Sequence, residues 1–194
     1  NKRIIFACAL EAGSVLAFAV NSVKFASAFK EVGYDVIIIS KKSKENYSKS
    51  KLQEIYGITD LPKWITFPRL FRQHFLFGIA SIIRIIFLQP DLVVARDFAT
   101  SIFASILGIP TILETHAHVG SKSFWLKSAM LASKLRTFKK VITISDVLKN
   151  YYTTLGCPRR KIFVLPTGVN IENFRRPIGK IYNPIKDYTG KINV

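Results

Sequence analysis

The chain has 194 residues, enough for one ordinary domain that buries a core and carries a tail. Hydrophobic residues make up 49% and charged residues 21%, a globular composition that excludes a disordered chain. Lys and Arg number 29 against 12 Asp and Glu, a formal +17 that favours anionic partners: nucleic acid, acidic lipid headgroups or phosphorylated small molecules.

Apolar runs rich in β-branched residues recur along the chain, separated by segments of helical length. Residues 3–10 (RIIFACAL) predict a first strand, and residues 15–32 a helix closed by Gly33. Residues 34–40 (YDVIIIS) predict a second strand, and residues 41–51 (KKSKENYSKSK) a basic surface loop. A short third strand follows at 64–67 (WITF) and a helix within 70–88. The fourth strand is 91–95 (DLVVA), and Asp97 is placed to cap a helix that runs to Leu107 and ends at Gly108. Residues 111–114 (TILE), 141–144 (VITI) and 162–165 (IFVL) complete the strands, with a Ser145-capped helix through Leu155 ending at Gly156. Several of these runs are continuously apolar, as strands buried on both faces of a parallel sheet require. The expectation is an α/β, Rossmann-like, doubly wound parallel sheet. After Phe174 the composition becomes that of a linker, RRPIGKIYNPIKDYTG, and KINV at 191–194 reads as the opening of another strand. The domain expectation is therefore 1–174 for the sheet domain and 175–194 for a linker into a second domain.

In an open parallel sheet, ligands bind beyond the carboxyl ends of the strands. The residues expected there are Glu11, Gly13 and Ser14 after the first strand and Arg96 and Asp97 after the fourth. His116 and His118 follow the fifth, Ser145 the sixth, and Thr167 and Gly168 the seventh. The turn at 11–14 leads from strand to helix, where backbone N–H groups meet phosphate, but it lacks the GxGxxG fingerprint; a plain turn with Ser14 as cap is the other reading. His116 is expected to hydrogen-bond or polarise a ligand, while His118 stands between ligand contact and ordinary loop residue. Arg96 either holds Asp97 or meets an anion. Ser145 serves as a helix cap, and the same helix start also attracts phosphate. Only Glu114 lies near the histidines in sequence, so no metal site is expected.

Two cysteines far apart, Cys8 and Cys157, form neither a disulfide framework nor a metal signature, which points to a reducing cytosol. The longest apolar stretch, 75–88, is interrupted by Arg84 and too short to span a membrane, and the start does not read as a signal peptide. The segment 70–88 reads as a helix packed on the sheet. Its alternative is an amphipathic surface resting on anionic membrane, with Arg69, Arg72 and the 41–51 run as basic flanks.

The segment 141–174, VITISDVLKNYYTTLGCPRRKIFVLPTGVNIENF, resembles the closing third of the N-terminal domain in family 4 glycosyltransferases. That pattern is a strand, a Ser-capped helix ending at Gly, a basic turn, a strand, then Pro-Asn-Gly-Val-Asp and a Phe. Here it reads Pro166, Thr167, Gly168, Val169, Asn170 and Phe174, so Thr167 replaces the usual Asn and Asn170 the usual Asp. The strands ending in Arg96–Asp97 and His116 match in order and spacing. The resemblance implies the acceptor-side half of a two-domain GT-B enzyme, with its own C-terminal domain binding the nucleotide sugar. It implies transfer with retention and no protein nucleophile, His116 reaching toward the donor sugar, and residues 11–14 near the donor phosphates. No cofactor is implied; the nucleotide sugar is a co-substrate, and a glycan or lipid-linked molecule is the acceptor. The resulting expectation is a cytoplasmic enzyme, peripheral on an anionic membrane face. The competing readings are a nucleotide-sugar epimerase of the same architecture and a basic lipid- or nucleic-acid-binding module. Against nucleic acid stands the absence of any recognised RNA- or DNA-binding motif.

Overall fold

A computed structural model describes residues 1–68, 74–116 and 123–166. The expected α/β architecture is present. Seven strands form one parallel sheet in the order β3-β2-β1-β4-β5-β6-β7. In chain order they are β1 (Arg3–Glu11), β2 (Asp35–Lys41), β3 (Lys63–Phe67), β4 (Leu92–Ala95), β5 (Thr111–Glu114), β6 (Phe138–Thr143) and β7 (Ile162–Val164). The helices between them are α1 (Ala17–Glu31), α2 (Lys49–Tyr56), α3 (His74–Leu88), α4 (Phe98–Ile106), α5 (Phe124–Ala132) and α6 (Asp146–Thr154). The strand order reverses between β1 and β4, which places the topological switch point there.

Alternation along the central strands divides the core. Ile4, Phe6 and Cys8 of β1 pack with Val36 and Ile38 of β2 against α1 and α2. Ile5, Ile37 and Ile39 face the other way, against Phe77, Ile82 and Ile85 of α3 and Ala104 of α4. Successive strand side chains point to opposite faces, so an unbroken apolar run serves two layers at once. A further cluster joins α5 and α6 to Leu113, Phe138 and Val141 at the other half of the sheet.

Several expected boundaries are corrected. The run 41–51 is not one surface loop: Lys41 ends β2 and is buried, and Ser48 caps α2. The Ser48 hydroxyl accepts from the Lys51 N–H at 3.2 Å, while Leu52 and Tyr56, one turn apart, bury the helix. Those two apolar anchors fall beyond the lysine-rich run that hides the helix in sequence. Ser14 is not the cap of α1, because that position is Leu16, which receives no side-chain cap bond. Strand β6 begins at Phe138, ahead of Val141, since two exposed lysines, Lys139 and Lys140, mask its start. Helix α5 had no counterpart among the expected elements. By contrast, Asp97 and Ser145 do cap α4 and α6, accepting from Thr100 N at 2.7 Å and Leu148 N at 3.3 Å. His118, Thr167, Gly168, residues 69–73 and the whole 175–194 segment lie outside the described residues.

Candidate functional site

Because every strand is parallel, the residues after β1, β4, β5 and β6 share one edge of the sheet. Three clefts along that edge share walls and form a continuous trough. The first is lined by the turn at Glu11, Gly13 and Ser14 together with Lys44 and Tyr47. The next runs over the switch point, between Phe18 of α1 and Cys8, Arg96, Glu114 and His116. The last passes from His116 and Glu114 to Lys24 of α1, Ile142 and Pro166. Ser145 lies on the same edge, engaged as the cap of α6.

At the centre stands a cluster of charge. Glu114, the last residue of β5, is buried, and its Oε1 accepts from His116 Nε2 at 3.0 Å. The same oxygen lies 3.6 Å from a guanidinium nitrogen of Arg96, and both of these side chains are only 8% exposed. That Arg96 nitrogen is also 3.2 Å from His116 Nδ1. The partners assign the tautomer: Nε2–H donates to the carboxylate and the Nδ1 lone pair faces the guanidinium. Arg96 donates further to the Phe18 carbonyl and the Ser22 hydroxyl of α1, so it bridges β4, β5 and α1 across the switch point. It does not hold Asp97, whose carboxylate caps α4 instead. The result is an imidazole fixed in orientation at the floor of the trough, with neighbours of both charges.

Beside it, Cys8 is buried, and burial pushes its thiol up to about 12. It is therefore a packed thiol and not a nucleophile at neutral pH. Asp97 is also enclosed. Burial raises its carboxyl from 3.8 to about 6, against the helix N–H that it accepts, and its Oδ2 has no hydrogen-bond partner.

The turn after β1 is held from below. Gly13 adopts φ 82°, and its N–H donates to the Tyr56 hydroxyl at 2.9 Å. Tyr56 stacks on Trp64, whose indole N–H reaches the Ser40 hydroxyl at 2.7 Å. Ala12 N–H bonds the Lys41 carbonyl and Ser14 N–H the Glu11 carbonyl. With these three amides engaged inside the protein, a ligand at this turn meets the Ser14 side chain and the neighbouring Lys44 and Tyr47. Any side chain at position 13 would overlap the Tyr47 ring, so glycine keeps this cleft open.

Sequence reasoning did not single out Lys24, Phe18, Tyr47 or Tyr56 as site residues. Lys24 and Phe18 reach the trough from α1 and Tyr47 from the loop before α2, Tyr56 supports Gly13 from beneath, and none carries a local motif. Glu114 offered a signal, a carboxylate ending an otherwise apolar strand.

The trough at a βα edge is common to many α/β enzymes, and the comparison with known families decides among them. Residues 22–173, more than half of the chain, match the family described as Glycosyltransferase Family 4. The chain belongs to glycosyltransferase family 4. No curated protein matches it. The family 4 domain is similar in fold to Anabaena HepE in complex with UDP-glucose, with a TM-score of 0.64 and 15% identity over 92% of this chain and 47% of that one. A glycosyltransferase from Rickettsia africae gives a TM-score of 0.59 and 20% identity, covering 90% of this chain and 45% of that chain. A UDP-GlcNAc 2-epimerase from Methanocaldococcus jannaschii gives 0.52 and 16%, covering 84% and 45%. At these identities the likeness is one of fold, of the GT-B type. The chain spans about half the length of these three structures.

Proposed function

We propose that this domain is the acceptor-side half of a retaining glycosyltransferase that moves a sugar from a nucleotide-sugar donor to a glycan or lipid-linked acceptor. The observation that carries the reading is the oriented His116 at the switch-point trough, in a chain that belongs to a sugar-transferase family. An imidazole that is fixed by Glu114 and Arg96 can turn one ring nitrogen toward a sugar hydroxyl only by exchanging a protein contact for it. Binding of the correct donor would therefore be coupled to a small rearrangement of this cluster.

Residues 11–14, with Ser14 and Lys44, are the side of the trough suited to the donor phosphates. Stabilisation of the departing nucleoside diphosphate falls mainly to a second domain, joined through the 175–194 segment. The role of Arg96 in this scheme is positional, because its guanidinium is committed to Glu114, His116 and α1.

The 194-residue chain alone is then expected to lack transfer activity. Purified chain incubated with a panel of UDP-, GDP- and ADP-sugars and a mixed-acceptor extract should yield no sugar transfer above buffer; robust turnover overturns the division of labour. The fold neighbours that are UDP-GlcNAc 2-epimerases support one other reading. A full-length enzyme that inverts C2 of the sugar in the absence of acceptor would establish it in place of transfer.

A further inference from the structure

Within the trough, the cleft nearest β6 and β7 has a volume of about 190 Å³ and is walled on one side by Asn21, Lys24 and Phe25 of α1. Lys24 and Phe25 lie three and four residues after Asn21, so one face of the helix supplies them together. Glu114 and His116 are shared with the switch-point cleft, and Ile142, Leu165 and Pro166 complete the wall with apolar surface. A mostly apolar cavity with a few fixed polar groups is the usual form of a small-molecule site.

Polar groups of this cleft lack partners among the described residues. Glu114 is only 6% exposed; its Oε1 serves His116, but its Oε2 is buried with no hydrogen-bond partner. A desolvated carboxylate oxygen without a donor is costly, and a ligand hydroxyl would satisfy it. Lys24 is half-buried and forms no ion pair with a described residue, and the Asn21 side chain beside it makes no hydrogen bond to one. Arg96 already lies against Glu114, so among the described residues of this cleft Lys24 is the unmatched charge. A ligand that satisfies these groups brings a hydroxyl to Glu114 and a negative charge to Lys24, with the Asn21 amide free to donate to it. It also brings C–H surface to Phe25 and Leu165. That combination is the chemistry of a sugar bearing an acid group.

We infer that this cleft is a subsite for an acidic sugar, a pyranose that carries a carboxylate or a phosphate. Its purpose rests on the proposed transfer reaction: with His116 on the boundary, a sugar held here lies beside the place expected for the donor sugar, as an acceptor must. Lys24 is then the specificity-determining residue that favours charged over neutral acceptors. Glu114 adds a positioning hydrogen bond to its structural role. Because the amine is partly exposed, the preference weakens as salt is raised. Binding needs neither donor nor turnover and is measured without them.

The test is binding of hexuronic acids, hexose phosphates, neutral hexoses and inorganic phosphate to the purified chain, followed through amide chemical shifts. At least one acidic sugar should bind about tenfold or more tighter than its neutral parent, the usual reach of one charge-assisted contact. Its shifts should map to α1 and the end of β5. Tighter binding of the uronic acids names a carboxylate and of the sugar phosphates a phosphate; either supports the subsite. Lys24→Gln should abolish the preference, weakening the acidic sugar about tenfold and leaving the neutral one unchanged. Lys139→Gln, in a cavity at the opposite end of the sheet, should alter neither. Equal binding of acidic and neutral sugars, no binding of any acidic sugar, inorganic phosphate binding as tightly as the sugar phosphates, or a preference that survives Lys24→Gln would each overturn the assignment. Failure of the transfer reading looks different. A full-length enzyme that transfers no sugar but keeps the Lys24-dependent preference retains the subsite, whereas transfer to neutral acceptors alone retains the transferase and removes the subsite.

Discussion

Glu114 serves two partners with one oxygen, and this sets the cost of altering it. Glu114→Gln leaves a carbonyl for His116 but removes the charge opposite Arg96 in a site where both side chains are 8% exposed. A buried cation without its partner costs about 3–5 kcal/mol, so thermal denaturation of Glu114→Gln should show a loss of that order. His116→Ala, at a half-buried position on the trough floor, should affect folding far less. In the complete enzyme it should lower turnover by about 100-fold or more, the usual effect of removing one oriented transition-state contact. A full-length His116→Ala enzyme with unchanged turnover would remove the residue from the chemistry.

Asp97 predicts the pH response of the same edge. Its carboxyl titrates at about 6 in the folded chain and at 3.8 when unfolded. Below 3.8 both states are protonated; between the two values the folded state alone keeps the proton, so stability falls as pH rises; above about 6 the loss is complete. The separation corresponds to a loss on the order of 3 kcal/mol. Asn caps a helix about as well as Asp and does not ionise. Denaturant unfolding from pH 3.5 to pH 7 should therefore show this downward step in the wild type and not in Asp97→Asn, whatever other groups contribute to both curves.

Among the elements, α3 and α4 approach each other closely. A Cβ at Gly78 would sit 2.7 Å from the Cβ of Ala99, nearer than side-chain carbons pack. Gly78 is not there for an unusual φ; it lets one helix touch the other. Gly78→Ala raises helix propensity by about 1 kcal/mol, yet overpacking costs about 1–3 kcal/mol and is expected to outweigh it. A lower urea midpoint for Gly78→Ala checks the sign; a higher one would mean the helices separate without cost. Sequence pattern located α3, but the need for glycine at that turn is a property of the pair. Helix α2 teaches a related lesson. Its cap, Ser48, lies within a basic run that reads as loop, and only Leu52 and Tyr56 seated under β1 and β2 give the segment a reason to be helical.

At the scale of the whole molecule, the sheet joins clusters that differ in composition and location. Trp64 packs with the α1 and α2 side, Trp125 with α5 at the far half. Because β4 is hydrogen-bonded to β1 on one side and to β5 on the other, the halves should unfold together. Fluorescence of Trp64→Phe and Trp125→Phe, each reporting the remaining tryptophan, should give midpoints that coincide once each variant's own circular-dichroism midpoint is subtracted. Two separated transitions would show independent halves. Read along the chain, the residues already give the alternation of strand and helix, the parallel sheet, the caps at Asp97 and Ser145, and the strand-end edge that carries the trough. These are set by local periodicity and by hydrogen bonding within a few residues. Folding in three dimensions is what turns Arg96 to Glu114 and not to Asp97, brings Tyr56 across from α2 to hold Gly13, and leaves α3 with an apolar face outward. Each of those depends on which residues distant in the chain become neighbours, and charge pairing, steric fit and burial act through space.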